Sequence, residues 1–236
     1  MARKLKHHDE RRTELLDTAW ALFGECGYEK ATVSTIINRI NVSKGTFYHY
    51  FSSKQEILDA AIEREVELSR LEIESAVNAS PMAALEKLNR FFTITWEYKQ
   101  SHIKSARWLA PILMADGDIV IRHKFDERTA NMCATLLAQI ISQGVEEGVF
   151  NTPNPQAVSQ LIIRSWDSLK GAGATTLQEQ HDVTLLAPRI KQVLDFYIDS
   201  VERLLGTEEG AITRPTESYV QTFAEIHSKL NTLSSE

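Results

Sequence analysis

Apolar side chains in this chain recur every three and four residues along almost its whole length, a spacing that fits amphipathic α-helices. Leu15, Leu16, Ala19, Trp20 and Phe23 mark one face of a helix over about residues 9–25, closed by Gly24 and Gly27. Val33, Ile36, Ile37 and Ile40 mark a short second helix behind the capping residue Thr32. Asn41-Val42 is a brief turn. Ser43 caps a third helix over about 44–50, and Phe47 and Phe51 are free to enter a core. Ser53-x-x-Glu56 has the form of a capping box and opens a long helix to about 78. The chain holds 10 glycines and 6 prolines in 236 residues, too few for the tight turns of a sandwich or barrel. The same scarcity speaks against a doubly wound α/β enzyme. The predicted fold class is all-α.

Beyond residue 80 the helical pattern continues. Ser80-Pro81 reads as a cap followed by proline in the first helical position, leading to about residue 99. Further helices are predicted over about 102–115 (interrupted at Pro111), 119–147, 155–170 and 185–205. Gly171-Ala-Gly-Ala stops the helix at 155–170, and Gly206 stops the one at 185–205. Residues 207–215 read as a linker, and Tyr219, Phe223, Ile226 and Leu230 give an amphipathic tail helix. The implied organisation is a head over 1–54, a connecting helix over about 53–78, a body over 79–206, and a linker and tail over 207–236.

The net charge of −6 at first argues against nucleic acid, but it is unevenly spread. Residues 1–54 carry nine basic and six acidic side chains, a surplus of three, while the other 182 carry 17 basic and 26 acidic ones. A basic head on an acidic body fits a chain that presents its head to DNA; a solvated basic terminus gives the same count. Cys26 and Cys133 have neither metal-ligand nor disulfide-framework spacing and suit a reducing compartment. The N-terminal residues Arg3 to Arg12 lack a signal peptide's apolar stretch, and the longest apolar run, Trp108 to Ala115, is too short to cross a bilayer. A cytoplasmic protein without membrane contact is expected.

The informative unit is Thr32 to Phe51, two short helices joined by a tight turn, which is the form of a helix-turn-helix. The second helix is too polar to be wholly buried: Ser43, Lys44, Thr46, Tyr48 and His49 cannot all turn inward. Gly45 costs about 1 kcal/mol of helix stability relative to alanine, yet it lets another molecule approach the backbone closely. A helix N-terminus with Lys44 beside it suits a phosphate, and Tyr48 and His49 can reach DNA backbone or base edges.

The stretch Gly27-Tyr28 … Thr32-Val33 … Ile36 … Val42-Ser43-Lys44-Gly45-Thr46-Phe47-Tyr48-His49-Tyr50-Phe51-Ser52-Ser53-Lys54 resembles the N-terminal DNA-binding domain of TetR-family transcriptional regulators, over about residues 10–60. The resemblance implies a homodimer that places one recognition helix in the major groove of each half-site of a double-stranded DNA operator. By position it implies that Ser43, Lys44, Gly45 and Thr46 line the start of that helix. It also implies DNA contacts from Tyr48, His49, Tyr50 and Lys54, with Thr32 and Ser34 as phosphate contacts at the start of the second helix. Thr32 and Ser43 also serve as caps, and Tyr50 also suits a partly buried position. Arg3 to Arg12 is either a DNA-reaching arm or a disordered tail.

The resemblance further implies a small-molecule effector held between helices of the body, and a repressor that the effector releases. The candidate lining is Phe92, Trp96, Trp108, Met132 and Trp166, with His102, His123 or Arg164 as polar anchors. Ordinary core packing explains such residues equally. The helices at 155–170 and 185–205 are the expected dimer bundle, through Ile162, Leu169, Leu186, Ile190, Val193, Leu194, Tyr197 and Val201. The tail is a candidate cover for that interface. No phosphate-binding loop, nucleophile elbow or His-Glu-x-x-His motif points to an enzyme, and no cofactor or metal is expected. His123 and Asp126 share a helical face but read as solvated charge. The alternative function is a DNA-binding protein with the same head and no ligand.

Overall fold

The computed structural model describes residues 2–79, 81–105, 119–177 and 182–233. Among these the regular structure is entirely helical: α1 (Ala2–Lys30), α2 (Val33–Arg39), α3 (Lys44–Tyr50), α4 (Lys54–Val77), α5 (Ala84–Ser105), α6 (Ile119–Glu146), α7 (Pro155–Leu177), α8 (Val183–Leu205) and α9 (Glu217–Leu233). The chain forms two compact units. One holds Met1–Leu68 with Ala106–Arg128, the other Ser69–Ser105 with Thr129–Glu236. The division therefore falls inside α4 and α6, not before or after α4, and the tail belongs to the second unit.

In the first unit, Leu15, Leu16, Ala19 and Phe23 of α1 are fully buried with Ile36 of α2, Phe47 of α3, Phe51, and Ile57, Leu58 and Ile62 of α4. α1 starts at Ala2, well before its apolar face requires. Gly27 (φ 81°, ψ 163°) breaks its regularity, as the sequence anticipates for a left-handed closing residue. Asn41, with φ 52°, supplies the left-handed step of the turn between α2 and α3. At the start of α4, Ser53 Oγ accepts from Glu56 N–H at 3.0 Å. The Glu56 carboxylate reaches back one residue further than a capping box does, to Ser52 N–H and Oγ, both at 2.6 Å.

In the second unit, α8 buries Leu186, Ile190, Leu194, Tyr197, Ile198, Val201 and Leu205. Gly206 ends it at φ 63° in the left-handed region, as the sequence predicts. Two expectations fail here. α5 begins at Ala84, not at Pro81, because the Glu147 carboxylate caps it from a distant loop, accepting from Ala84 N–H at 2.8 Å. α7 runs through Gly171 and Gly173 to Leu177, since an isolated glycine costs a helix only about 1 kcal/mol. The helix expected over 102–115 lies outside the described residues beyond 105, where α5 ends.

The tail helix α9 packs on α8 and α5 of its own chain, with Tyr219, Val220 and Ala224 buried. Asn89 of α5 grips the segment before it, donating to Ala211 O at 3.1 Å and accepting from Thr213 N–H at 2.6 Å. The buried Glu202 accepts from Ile212 N–H at 2.9 Å, and Arg214 donates to Asp199 at 2.7 Å. The tail is thus a strap over the body's own helices, where the sequence suggests a cover for a dimer interface.

Gly144 on α6 lies against the buried Phe150 ring. A Cβ there would stand 2.0 Å from a ring carbon. Gly144→Ala is expected to destabilise the fold by about 1–3 kcal/mol, as overpacking does, despite the better helix propensity of alanine. Thermal unfolding followed by circular dichroism measures it, and an unchanged or raised Tm would contradict the packing.

Candidate nucleic-acid interface

The second helix of the pair is held by its ends and its middle. Ser43 Oγ accepts from Thr46 N–H at 3.0 Å, and Thr32 Oγ1 does the same for Thr35 N–H of α2 at 3.1 Å, so both predicted caps are made. Phe47 is fully buried and Phe51 almost so, their ring centroids 6.0 Å apart. One fixed aromatic anchor on a seven-residue helix leaves the other side chains facing outward. Ser43, Lys44, Gly45 and His49 are exposed, Tyr48 is 49% exposed, and Thr46 is half-buried. Thr32 and Ser34 at the start of α2 are exposed and half-exposed or more.

The Lys44 ammonium lies 5.9 Å from the centroid of Tyr48, one turn along the same face, and no described carboxylate pairs with it. A Cβ added at Gly45 would meet only Ser43 Oγ, at an ordinary 3.7 Å. Nothing inside the fold demands glycine there. The surface combines free amide groups at a helix start, an uncommitted cation, a hydroxyl-bearing ring and an imidazole. These are the donors that phosphates and base edges accept from.

Two predicted contacts sit differently. Lys54 donates to Tyr28 O at 2.9 Å and its ammonium lies 4.0 Å over the Tyr28 ring, so it fastens α4 to the end of α1. Tyr50 is half-buried, its ring 5.0 Å from that of His49 and 4.6 Å from that of His8. Some basic residues counted toward the head's surplus are used inside it. Arg39 donates to both oxygens of Glu25 at 2.8 Å, and this pairing holds the Glu25 carboxyl below the usual range. Arg64, beyond the counted segment, pairs with Asp17.

No local sequence signal marks the clamp at Asp59 of α4. Lys124 and Arg128 of α6 donate to its carboxylate and its backbone oxygen respectively, both at 2.7 Å. Burial pushes the Asp59 carboxyl up, but hydrogen bonds from Lys124 and Gln55 and the charges of Lys124 and Arg128 outweigh it and leave it below the usual range.

Of the candidate effector residues, Phe92, Trp96 and Trp166 come together in one aromatic cluster with Tyr197 and Tyr219. Phe92 lies 5.7 Å from Trp96 and 6.3 Å from Tyr197, Trp166 lies 5.3 Å from Tyr197, and Trp96 lies 6.1 Å from Tyr219. Met132 is buried on α6. His123 is exposed and belongs to the first unit. Arg164 is exposed and donates to Asn131 at 3.3 Å. Trp108 and the side chain of His102 lie outside the described residues. A shallow cleft of about 110 Å³ elsewhere in this unit is lined by Val77, Lys87, Leu136, Ile140 and polar neighbours, and by none of the expected residues.

The expected dimer residues Ile162, Leu186, Ile190, Leu194, Tyr197 and Val201 are buried within the chain itself. They form the intramolecular core, because α9 and α7 cover that face of α8. Val193 is half-buried, and the side chain of Leu169 lies outside the described residues. Among the described residues, the large apolar side chains that α7 and α8 leave exposed are Leu161, Leu185, Phe196 and Leu204, the first three more than half exposed; Leu204 also lies on the apolar face that the sequence offers for dimerisation.

Residues 15–61 match the family model described as bacterial regulatory proteins, tetR family. The uncharacterized HTH-type transcriptional regulator YfiR of Bacillus subtilis is 23% identical over 205 residues, covering 84% of this chain and 97% of that protein. The HTH-type transcriptional repressor KstR2 of Mycobacterium tuberculosis is 26% identical over 146 residues, 60% of this chain and 70% of its own. In fold, the chain is similar to the transcriptional regulator FadR from Bacillus subtilis, solved with stearoyl-CoA, at a TM-score of 0.54 and 19% identity, covering 84% of this chain and 99% of that one. Residues 15–61 thus carry the N-terminal domain of bacterial regulatory proteins of the tetR family, and the chain is a DNA-binding transcriptional regulator. Among the described residues no helix is long and apolar enough to cross a membrane.

A carboxylate held below its unfolded value stabilises the fold above that unfolded value, about 3.9 for aspartate. The contribution fades as pH falls through the folded one. Asp59→Asn is therefore expected to lower stability at neutral pH by about 0.5–1 kcal/mol, the range for partly exposed pairs. It should also flatten the loss of stability on acidification. Urea unfolding at neutral and acidic pH tests this, and parallel curves for variant and parent would rule the clamp out.

Proposed function

We propose that the chain is a homodimeric repressor that sets two α3 helices into successive major grooves of a palindromic operator and is released by a small apolar effector. The observation that carries the reading is the outer surface of α3. Lys44, Gly45, Tyr48 and His49 lie exposed on a helix that Ser43 caps and Phe47 anchors, and the fold has no internal use for them. Two copies must be held about 34–36 Å apart to read adjacent grooves of one duplex face. The exposed apolar residues Leu161, Leu185, Phe196 and Leu204 on α7 and α8 are the natural seam for that pairing, since a set of large side chains left in water favours burial. The effector enters among Phe92, Trp96, Trp166 and Tyr197, parting rings that touch one another in its absence. Its binding shifts the spacing of the heads through α4 and α6, which carry residues of both units.

The DNA-reading role is tested by enriching duplexes from a random-sequence library with the full chain. The paired substitution Lys44→Ala/Tyr48→Ala should weaken binding to the enriched duplex about 30-fold or more, as two contacts of about 1–3 kcal/mol each imply. The Tm should hold steady. Retained tight binding would sink the assignment.

Phe196→Asp should yield a folded monomer in light scattering that no longer binds the palindrome tightly. A dimer that survives this change would move the seam elsewhere.

A further inference from the structure

Residues 8–14 of α1 add nothing to the core. From His8 to Glu14 every side chain is exposed or half-exposed, and burial begins only at Leu15. A helical end with no buried face has little reason to form for folding alone. Two of its side chains nevertheless rest on the far end of the recognition helix. The His8 ring lies 4.6 Å from that of Tyr50 and 5.6 Å, edge-on, from that of His49. One turn later the Arg12 guanidinium lies 5.3 Å from the centroid of Phe51. Four residues apart, positions 8 and 12 share one face of α1.

The acids nearby fall on other faces or have partners. Glu10 is half a revolution from His8. Glu14 pairs with Arg11 at 2.5 Å, and Asp9 stands 3.7 Å from His8 Nδ1. Glu56, in the field of Arg12, is held by Ser52. The face that holds positions 8 and 12 carries an imidazole and a guanidinium, and this stripe continues the exposed His49 edge of the helix that reads DNA.

We propose that this stripe is a second DNA-contacting element. His8 is a positioning residue that holds the end of α1 against His49 and Tyr50, and Arg12 takes a backbone phosphate flanking the groove that α3 enters. The proposal rests on the regulator reading above. Phosphate contacts of this kind add affinity and salt dependence without sequence preference. They therefore leave a signature distinct from that of the base-reading residues.

The test measures binding of the full chain to its enriched duplex across a salt series. The slope of log K against log salt should become shallower by about 0.9 for each phosphate that is no longer neutralised. Arg12→Ala is expected to free one phosphate per head without a change in Tm. His8→Ala should flatten the slope as much as Arg12→Ala does. His8→Phe, which keeps a ring against Tyr50, should restore it; a residue acting only through general stability would not show that pattern. An unchanged slope in Arg12→Ala overturns the proposal while leaving the regulator reading intact, and equal behaviour of His8→Ala and His8→Phe overturns the positioning role. If the library yields no enriched duplex, the regulator reading fails and this proposal fails with it.

Discussion

One aromatic ring fixes the working surface of this protein. Phe47 is the fully buried residue of α3, and a helix of seven residues has no stability of its own. With Phe47 fully buried beside Phe51 and α3 packed on α2, the helix cannot roll, and the polar positions around it are forced outward. The Ser43 cap then fixes where the helix starts, so the free amides face the same direction as Lys44 and Tyr48. The exposed face of α3 is the remainder of one helix after the core has claimed what it needs.

The body follows the same logic with a different outcome. α8 is apolar over most of its circumference, and its own chain covers the wider part of it through α7 and α9. The strap before α9 is secured by hydrogen bonds to Asn89 and Glu202 and by the Arg214–Asp199 pair, groups far apart in sequence. What α7 and α8 leave exposed among the described residues is the narrower set Leu161, Leu185, Phe196 and Leu204. The tail, by occupying one face, decides which face is left.

Much of the head is legible in the sequence because its signals are local. Capping residues act on amides three positions away, and an apolar spacing of three and four needs no partner to be read. The ends of α2 and α3 and the burial of Phe47 and Phe51 follow from such signals. The features that escape a sequence reading depend on distant partners. Glu147 caps α5 across 63 positions, Lys124 and Arg128 clamp Asp59, and Lys54 turns to Tyr28 where position alone suggests a phosphate. The eight dimer candidates share only their apolar character on two helices. Periodicity identifies an apolar face but not what covers it, and six of them are core.

The sequence by itself determined that the chain is helical, that its second and third helices form a helix-turn-helix, and that Lys44, Gly45, Tyr48 and His49 face away from the core. Each of these rests on interactions within a few residues, which the order of side chains specifies directly. Only the tertiary structure decided that the tail straps its own body, that the outward apolar seam runs through Phe196 and Leu161, and that His8 meets Tyr50. Those outcomes depend on which faces compete for the same neighbour, and that competition is settled by packing in three dimensions.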